Sequence, residues 1–117
     1  MHIRIEKDFL QNAVAQTLGV VETRKTLPIL SHMLLETVDQ QLILFCTDLD
    51  VGIRIGIEAE IFEAGEIAIP AKRFHDIIRE LPPAPLKIEV DKDLLMTIRC
   101  DRAEFRLKGV SKEEFPQ

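Results

Sequence analysis

The stretch Glu66-Ile-Ala-Ile-Pro-Ala-Lys-Arg-Phe-His-Asp-Ile-Ile-Arg-Glu-Leu81 changes its hydrophobic period partway along. Up to Pro70 the apolar residues Ile67 and Ile69 alternate, as in a strand; from Ala71 onward Phe74, Ile77, Ile78 and Leu81 recur at helical spacing. Pro82-Pro83-Ala84-Pro85 must stop that helix, because proline lacks an amide hydrogen and restricts the residue before it. The chain begins in the same way. Ile3 and Ile5 alternate with Arg4 and Glu6, and then Phe9, Leu10, Ala13, Val14 and Thr17 follow a helical period that Gly19 ends. A shift of 64 residues lays Ile3 over Ile67, Ile5 over Ile69, Leu10 over Phe74, Ala13 over Ile77 and Val14 over Ile78.

Outward from these two units, residues 20–26 form a polar loop holding Arg24 and Lys25, closed by Pro28. Strands are expected at Ile29–Val38, Gln41–Thr47 and Val51–Glu60, the first two joined by Asp39-Gln40 as a hairpin. After the second helix come Leu86–Val90, Leu94–Cys100 and Ala103–Lys108, with Asp91-Lys92-Asp93 as a turn. Residues 109–117 are polar and lack periodicity. Strand, helix and three strands thus occur twice, and Gln41–Asp48 echoes Leu94–Asp101 at a shorter offset. Two readings stand: a true internal duplication, or the apolar pattern that any two strand–helix units share. Duplication implies an α+β fold, with two helices side by side on one face of antiparallel sheet.

At 117 residues the chain is one domain or a piece of something larger. Apolar residues at 46% and charged residues at 30% fit a globular protein rather than a disordered one. The net charge of −5 argues against a general nucleic-acid or membrane binder. No apolar run approaches the roughly 20 residues that a membrane helix needs. The opening Met-His-Ile-Arg-Ile has no signal-peptide pattern, so a cytoplasmic location is expected. The charge is uneven, however. Between Leu27 and Ala71 the acids Glu36, Asp39, Asp48, Asp50, Glu58, Glu60, Glu63 and Glu66 face one base, Arg54, for a local −7; the remainder carries +2. Such a block is ordinarily a solvated strand face.

The second helix, with its apolar side inward, presents Lys72, His75, Asp76 and Arg79 on the other side and Arg73 and Glu80 on the flanks. Lys72 and Arg73 lie in the positive first turn and Glu80 in the negative last turn, against the helix dipole, at ~0.3–1 kcal/mol each. Either something outside the domain requires those bases, or the mismatch is an ordinary small cost. The first helix carries Asp8, Gln11, Asn12 and Ala15 on its corresponding side, polar but not basic.

Catalytic chemistry finds little support. Thr47-Asp48-Leu49-Asp50 could space two carboxylates for a divalent ion in a transferase, but between strands it reads as a turn bonding local amides. His2, His32 and His75 lie in different elements without partners at ligand spacing, and Cys46 and Cys100 form no disulfide framework or zinc set. No phosphate-binding glycine loop or nucleophile elbow occurs. No cofactor is implied, and the chain is not read as an enzyme.

Four segments, Lys25-Thr-Leu-Pro-Ile-Leu-Ser-His-Met-Leu-Leu35, Cys46-Thr-Asp-Leu-Asp50, Ile69-Pro-Ala-Lys-Arg-Phe-His-Asp-Ile-Ile78 and Glu114-Phe-Pro116, stand in the order found in one family. With them the chain resembles the first domain of the bacterial sliding clamp, the DNA polymerase III beta subunit. The resemblance covers essentially all of residues 1–117 and implies the DNA-clamp fold. It also implies a non-catalytic processivity factor of three such domains per subunit, at the replication fork in the bacterial cytoplasm. Two subunits would close head to tail around duplex DNA, with helices lining the hole. Arg24 then corresponds to a DNA-contacting arginine and Lys72 to the base opening the second helix; Lys25 and Arg79 are added from the loop and helix face. Phe105 and Leu107 correspond to an apolar pair packing against the third domain of the partner subunit, and Arg73 and Arg102 to bases paired across that seam. For Phe105 and Leu107 the alternative is the core face of the chain's own edge strand. Replicative polymerase and clamp loader would bind regions absent from this chain, and no membrane partner is implied. A second function class, a self-contained interaction domain pairing its exposed last strand with a partner sheet, remains open.

Overall fold

The structure, a computed structural model, describes residues 1–18 and 31–115. Alternation at the start gives strand β1 (His2–Glu6), and the helical period gives α1 (Lys7–Thr17). Strands β2 (His32–Val38), β3 (Gln41–Thr47), β4 (Gly52–Glu58) and β5 (Glu60–Glu63) follow. The second unit comprises β6 (Glu66–Pro70), α2 (Ala71–Glu80), β7 (Pro85–Val90), β8 (Leu95–Cys100) and β9 (Ala103–Lys108). Ile29 and Leu30 of the expected first long strand, and Gly19 after α1, lie outside the described residues.

The strands form two antiparallel sheets, ordered β5-β1-β7-β8-β9 and β4-β3-β2-β6. Each unit lends its first strand to the other's sheet. Ile3 and Ile5 of β1 pair with Ile88 and Leu86 of β7, while Ile67 and Ile69 of β6 pair with Leu35 and Met33 of β2. The reciprocity extends one strand further. β5 returns to pair beside β1, with Ile3 opposite Ile61, and Val110 returns to bridge Ala68 of β6. This exchange is the topology a duplicated unit produces, and it resolves the two readings of the 64-residue shift in favour of duplication.

One core serves both units. Leu10, Ala13 and Val14 of α1 and Phe74 and Ile78 of α2 pack with Ile3, Leu35, Leu44, Ile67, Ile69, Leu86, Ile88 and Ile98 of the sheets. The two helices lie against each other, α1 also against β1, β3 and β4, and α2 against β2 and β6. Thr17, fully buried, satisfies its hydroxyl by donating to the Val14 carbonyl at 2.9 Å. The runs Met33-Leu34-Leu35 and Ile67-Ala68-Ile69 are apolar without alternation because both strand faces are covered. On the far face Leu34 and Ala68 pack with Phe115, Phe45 and Val110.

Four expectations need correction. Phe9 is 55% exposed, not core. It lies about a quarter-turn off the line through Leu10, Val14 and Thr17, and the sheet ends at β4 with no further strand among the described residues to cover it. The expected strand Val51–Glu60 is two: β4 ends at Glu58, and β5 crosses to the other sheet, where Arg4 pairs with Glu60 at 2.9 Å. Leu94 belongs to a turn, with φ 64°, rather than to a strand. The tail is not featureless: Phe115 is buried, Ala68 and Val110 exchange backbone hydrogen bonds of 3.0 and 2.8 Å, and Lys112 pairs with Glu36.

Candidate functional site

α2 follows β6 directly. Pro70 takes the capping position with no side-chain cap, and no acid occupies the first turn, so after the buried Ala71 the helix begins with two exposed bases. Phe74 and Ile78 anchor the helix from below. Their burial fixes the opposite direction, and Lys72, Arg73, Arg79 and Glu80 are exposed. Lys72 and Arg79 share one stripe, with Asp76 between them. Asp76 Oδ1 accepts from Arg79 Nη2 at 3.3 Å and lies 3.9 Å from His75 Nδ1. Among the described residues Lys72 and Arg73 make no ion pair. Arg79, in the last turn, suits the negative helix end and sits beside Glu80, so the dipole mismatch expected there is partly offset.

The corresponding side of α1 exposes Asp8, Phe9, Asn12, Ala15 and Gln16, and so carries no base. Beside it runs a groove of about 460 Å³ lined by Phe9, Asn12, Ala13, Gln16, Ile55, Ile57 and Glu58. Arg24 and Lys25, the remaining bases expected to face DNA, lie outside the described residues.

Three of the four expected seam residues, Arg102, Phe105 and Leu107, lie on or beside β9. β9 is the edge of its sheet, bonded only to β8 among the described residues. Leu107 is 8% exposed and belongs to the core, whereas Phe105 packs against that core and keeps part of its surface. Arg102 is exposed in the tight turn before β9, where Asp101 has φ 51°. Arg73 lies on α2, not on this strand.

Alternation along β8 and β9 also turns out a charged ladder that sequence reading did not single out. Arg99 bonds Glu104 at 2.9 Å and Glu89 at 3.0 Å, and Arg106 pairs with Glu104 at 3.3 Å. The hydrogen bond from Arg99 holds the Glu104 carboxyl below its ordinary range, with the Arg99 and Arg106 charges assisting. The signal was available as opposite charges at cross-strand register, Arg99 facing Glu104.

The Thr47–Asp50 segment is a turn. Asp48 Oδ1 accepts from the amides of Asp50 at 3.0 Å and Val51 at 2.8 Å, and Thr47 closes it by donating to the Val51 carbonyl at 3.0 Å. Cys46 is buried in the core and burial pushes its thiol up to about 12. Among the described residues no group of three His, Cys, Asp or Glu side chains could hold a metal ion. Nor, among them, is any helix long and apolar enough to cross a membrane.

The family model for "DNA polymerase III beta subunit, N-terminal domain" matches residues 1–117. The chain is 40% identical over 119 residues to the beta sliding clamp of Pseudomonas putida, covering 99% of this chain and 32% of that protein. It is 33% identical over 116 residues to that of Chlamydia muridarum, covering 99% and 32%. Among solved structures, the DNA polymerase sliding clamp of Bacillus subtilis superposes with a TM-score of 0.96 at 32% identity, over 100% of this chain and 33% of that one. The chain therefore spans about a third of the length of the curated relatives it matches.

Proposed function

Since the chain belongs to the DNA polymerase III beta subunit N-terminal domain family, we propose that it is the first domain of a three-domain DNA sliding clamp, a non-catalytic processivity factor. In full-length form two subunits encircle duplex DNA head to tail and tether the replicative polymerase. The observation that carries this reading is the exposed Lys72–Arg79 stripe of α2, set directly opposite the buried Phe74 and Ile78. A rigid helix anchored in this way can aim bases at phosphates without reading bases, which is what sliding requires. Arg24 and Lys25, which lie outside the described residues, are assigned as further DNA contacts on the resemblance alone. The acids of β4, β5 and their turns belong on the outer side, away from a polyanion.

The open edge of β9 is the subunit seam. Phe105 offers its remaining surface to the partner's third domain, Leu107 supports it from the core, and Arg73 and Arg102 pair with acids across the junction. Polymerase and clamp loader engage the other domains, in the bacterial cytoplasm.

Retention on DNA tests this. A clamp expressed from the full reading frame that encodes this chain, once loaded, should stay on nicked circular duplex and be lost on linearisation. Equal retention on both would refute encirclement. The β9 edge, unpaired among the described residues, also favours a second reading, a self-contained domain that adds its edge to a partner sheet. A stable homodimer of residues 1–117 in sedimentation, abolished by proline at Phe105, would support that reading over the clamp.

A further inference from the structure

The stripe that faces DNA in the reading above contains a carboxylate where a polyanion surface would not want one. We propose that Asp76 is an internal counter-ion that holds Arg79 back from an approaching phosphate and so sets how many charges α2 spends on DNA. The inference rests on that reading of α2 and goes beyond it. Asp76 follows Lys72 by four residues and precedes Arg79 by three, about 40° and 60° around the helix, so all three stand on one stripe. Its Oδ1 touches Arg79 Nη2 at 3.3 Å, with side chains 50% and 56% exposed, so a phosphate can compete for the guanidinium but must displace the carboxylate. Lys72 makes no such exchange, having no ion pair among the described residues. Glu80, the other carboxylate on the exposed side of α2, has none either, which separates the presence of a negative charge from its contact with Arg79.

Counterion release makes the distinction measurable. Each phosphate neutralised contributes about −0.9 to the slope of log K against log salt. A paired Arg79 adds little to that slope until Asp76 gives it up, so Asp76 keeps the surface loosely held.

The test is fluorescence anisotropy of a labelled mixed-sequence duplex with the 117-residue chain across a sodium chloride series. Asp76→Asn should steepen the slope by ~0.9 and raise low-salt affinity roughly threefold to tenfold. Glu80→Gln, which removes the same charge without touching Arg79, should raise affinity less and leave the slope unchanged. The gain from Asp76→Asn should vanish in the Asp76→Asn, Arg79→Ala double variant. An unchanged slope in Asp76→Asn, equal effects of Asp76→Asn and Glu80→Gln, or a gain that survives without Arg79 would overturn the proposal. Lys72→Ala separates the two levels: if it weakens binding while Asp76→Asn does nothing, only the counter-ion role falls. If Lys72→Ala has no effect, or the parent chain does not bind, the DNA-facing reading falls with it.

Discussion

The two helices occupy equivalent places in a duplicated unit, yet only their buried sides match. Leu10 and Val14 of α1 stand where Phe74 and Ile78 of α2 stand, fully buried in the same core. Their exposed sides have diverged. α2 carries Lys72, Arg73 and Arg79, while α1 carries Asp8, Phe9, Asn12 and Gln16. The core side of each helix is held by packing, which punishes any change of volume. The solvent side is free of that constraint, and there the difference between the halves reports a task that one half performs and the other only permits.

The largest effects should test the shared side. Phe74→Ala should cost ~3–5 kcal/mol and Leu10→Ala ~2–5 kcal/mol in urea unfolding, because both open cavities in one core. If Leu10→Ala cost under about 1 kcal/mol, the helices would not be equivalent anchors. Next comes the tail. Phe115→Ala should cost ~2–4 kcal/mol by emptying the small cluster with Leu34 and Ala68. Gly109→Ala should cost ~1–3 kcal/mol, since its Cβ would lie 2.5 Å from Ile67 Cδ1 and 2.8 Å from the Ala68 carbonyl oxygen. Normal stability of Gly109→Ala would mean that the tail is not held on β6.

On the exposed sides the comparison can be reversed. Asn12→Lys places on α1 a base like those of α2, and should steepen the salt slope of duplex binding by up to ~0.9. No change would place α1 away from DNA even though α2 faces it. The smallest effect concerns the thiols. Cys46, raised to about 12 by burial, should react with a disulfide reagent at pH 8 more slowly than Cys100, whose thiol burial also raises. Mass spectrometry after partial labelling would detect the order, and faster labelling of Cys46 would contradict it.

What the sequence carried and what it hid follow from the same physics. Both helices, the repeated order of elements and the Lys72–Arg79 stripe are periodic, so period alone exposes them. The break between β4 and β5 is hidden because Ile53, Ile55, Ile57, Ala59 and Ile61 alternate straight through it. Only the pairing of Ile61 with Ile3 in the other sheet reveals the crossing. Phe115 is hidden too, since a single aromatic has no period and its partners Leu34 and Ala68 are distant in sequence. Strand exchange between the halves is legible as repetition but not as topology, because the alternation of β1 fits β7 as well as β2. The Asp76–Arg79 pair was open to the three-residue spacing rule, but its bearing on DNA needed the burial of Phe74 and Ile78 to fix the direction of the stripe.

The claim at the centre is that α2, not α1 and not the strands, meets the phosphates. Titrating the isotopically labelled 117-residue chain with a short duplex at low salt, and following backbone amide shifts, asks this directly. The expected result is weak, salt-sensitive shifts concentrated at Lys72 and Arg79 of α2 and at Arg24 and Lys25, indifferent to DNA sequence, with β4 and β5 silent. Shifts centred on Glu58 to Glu63, or tight binding that depends on sequence, would contradict it.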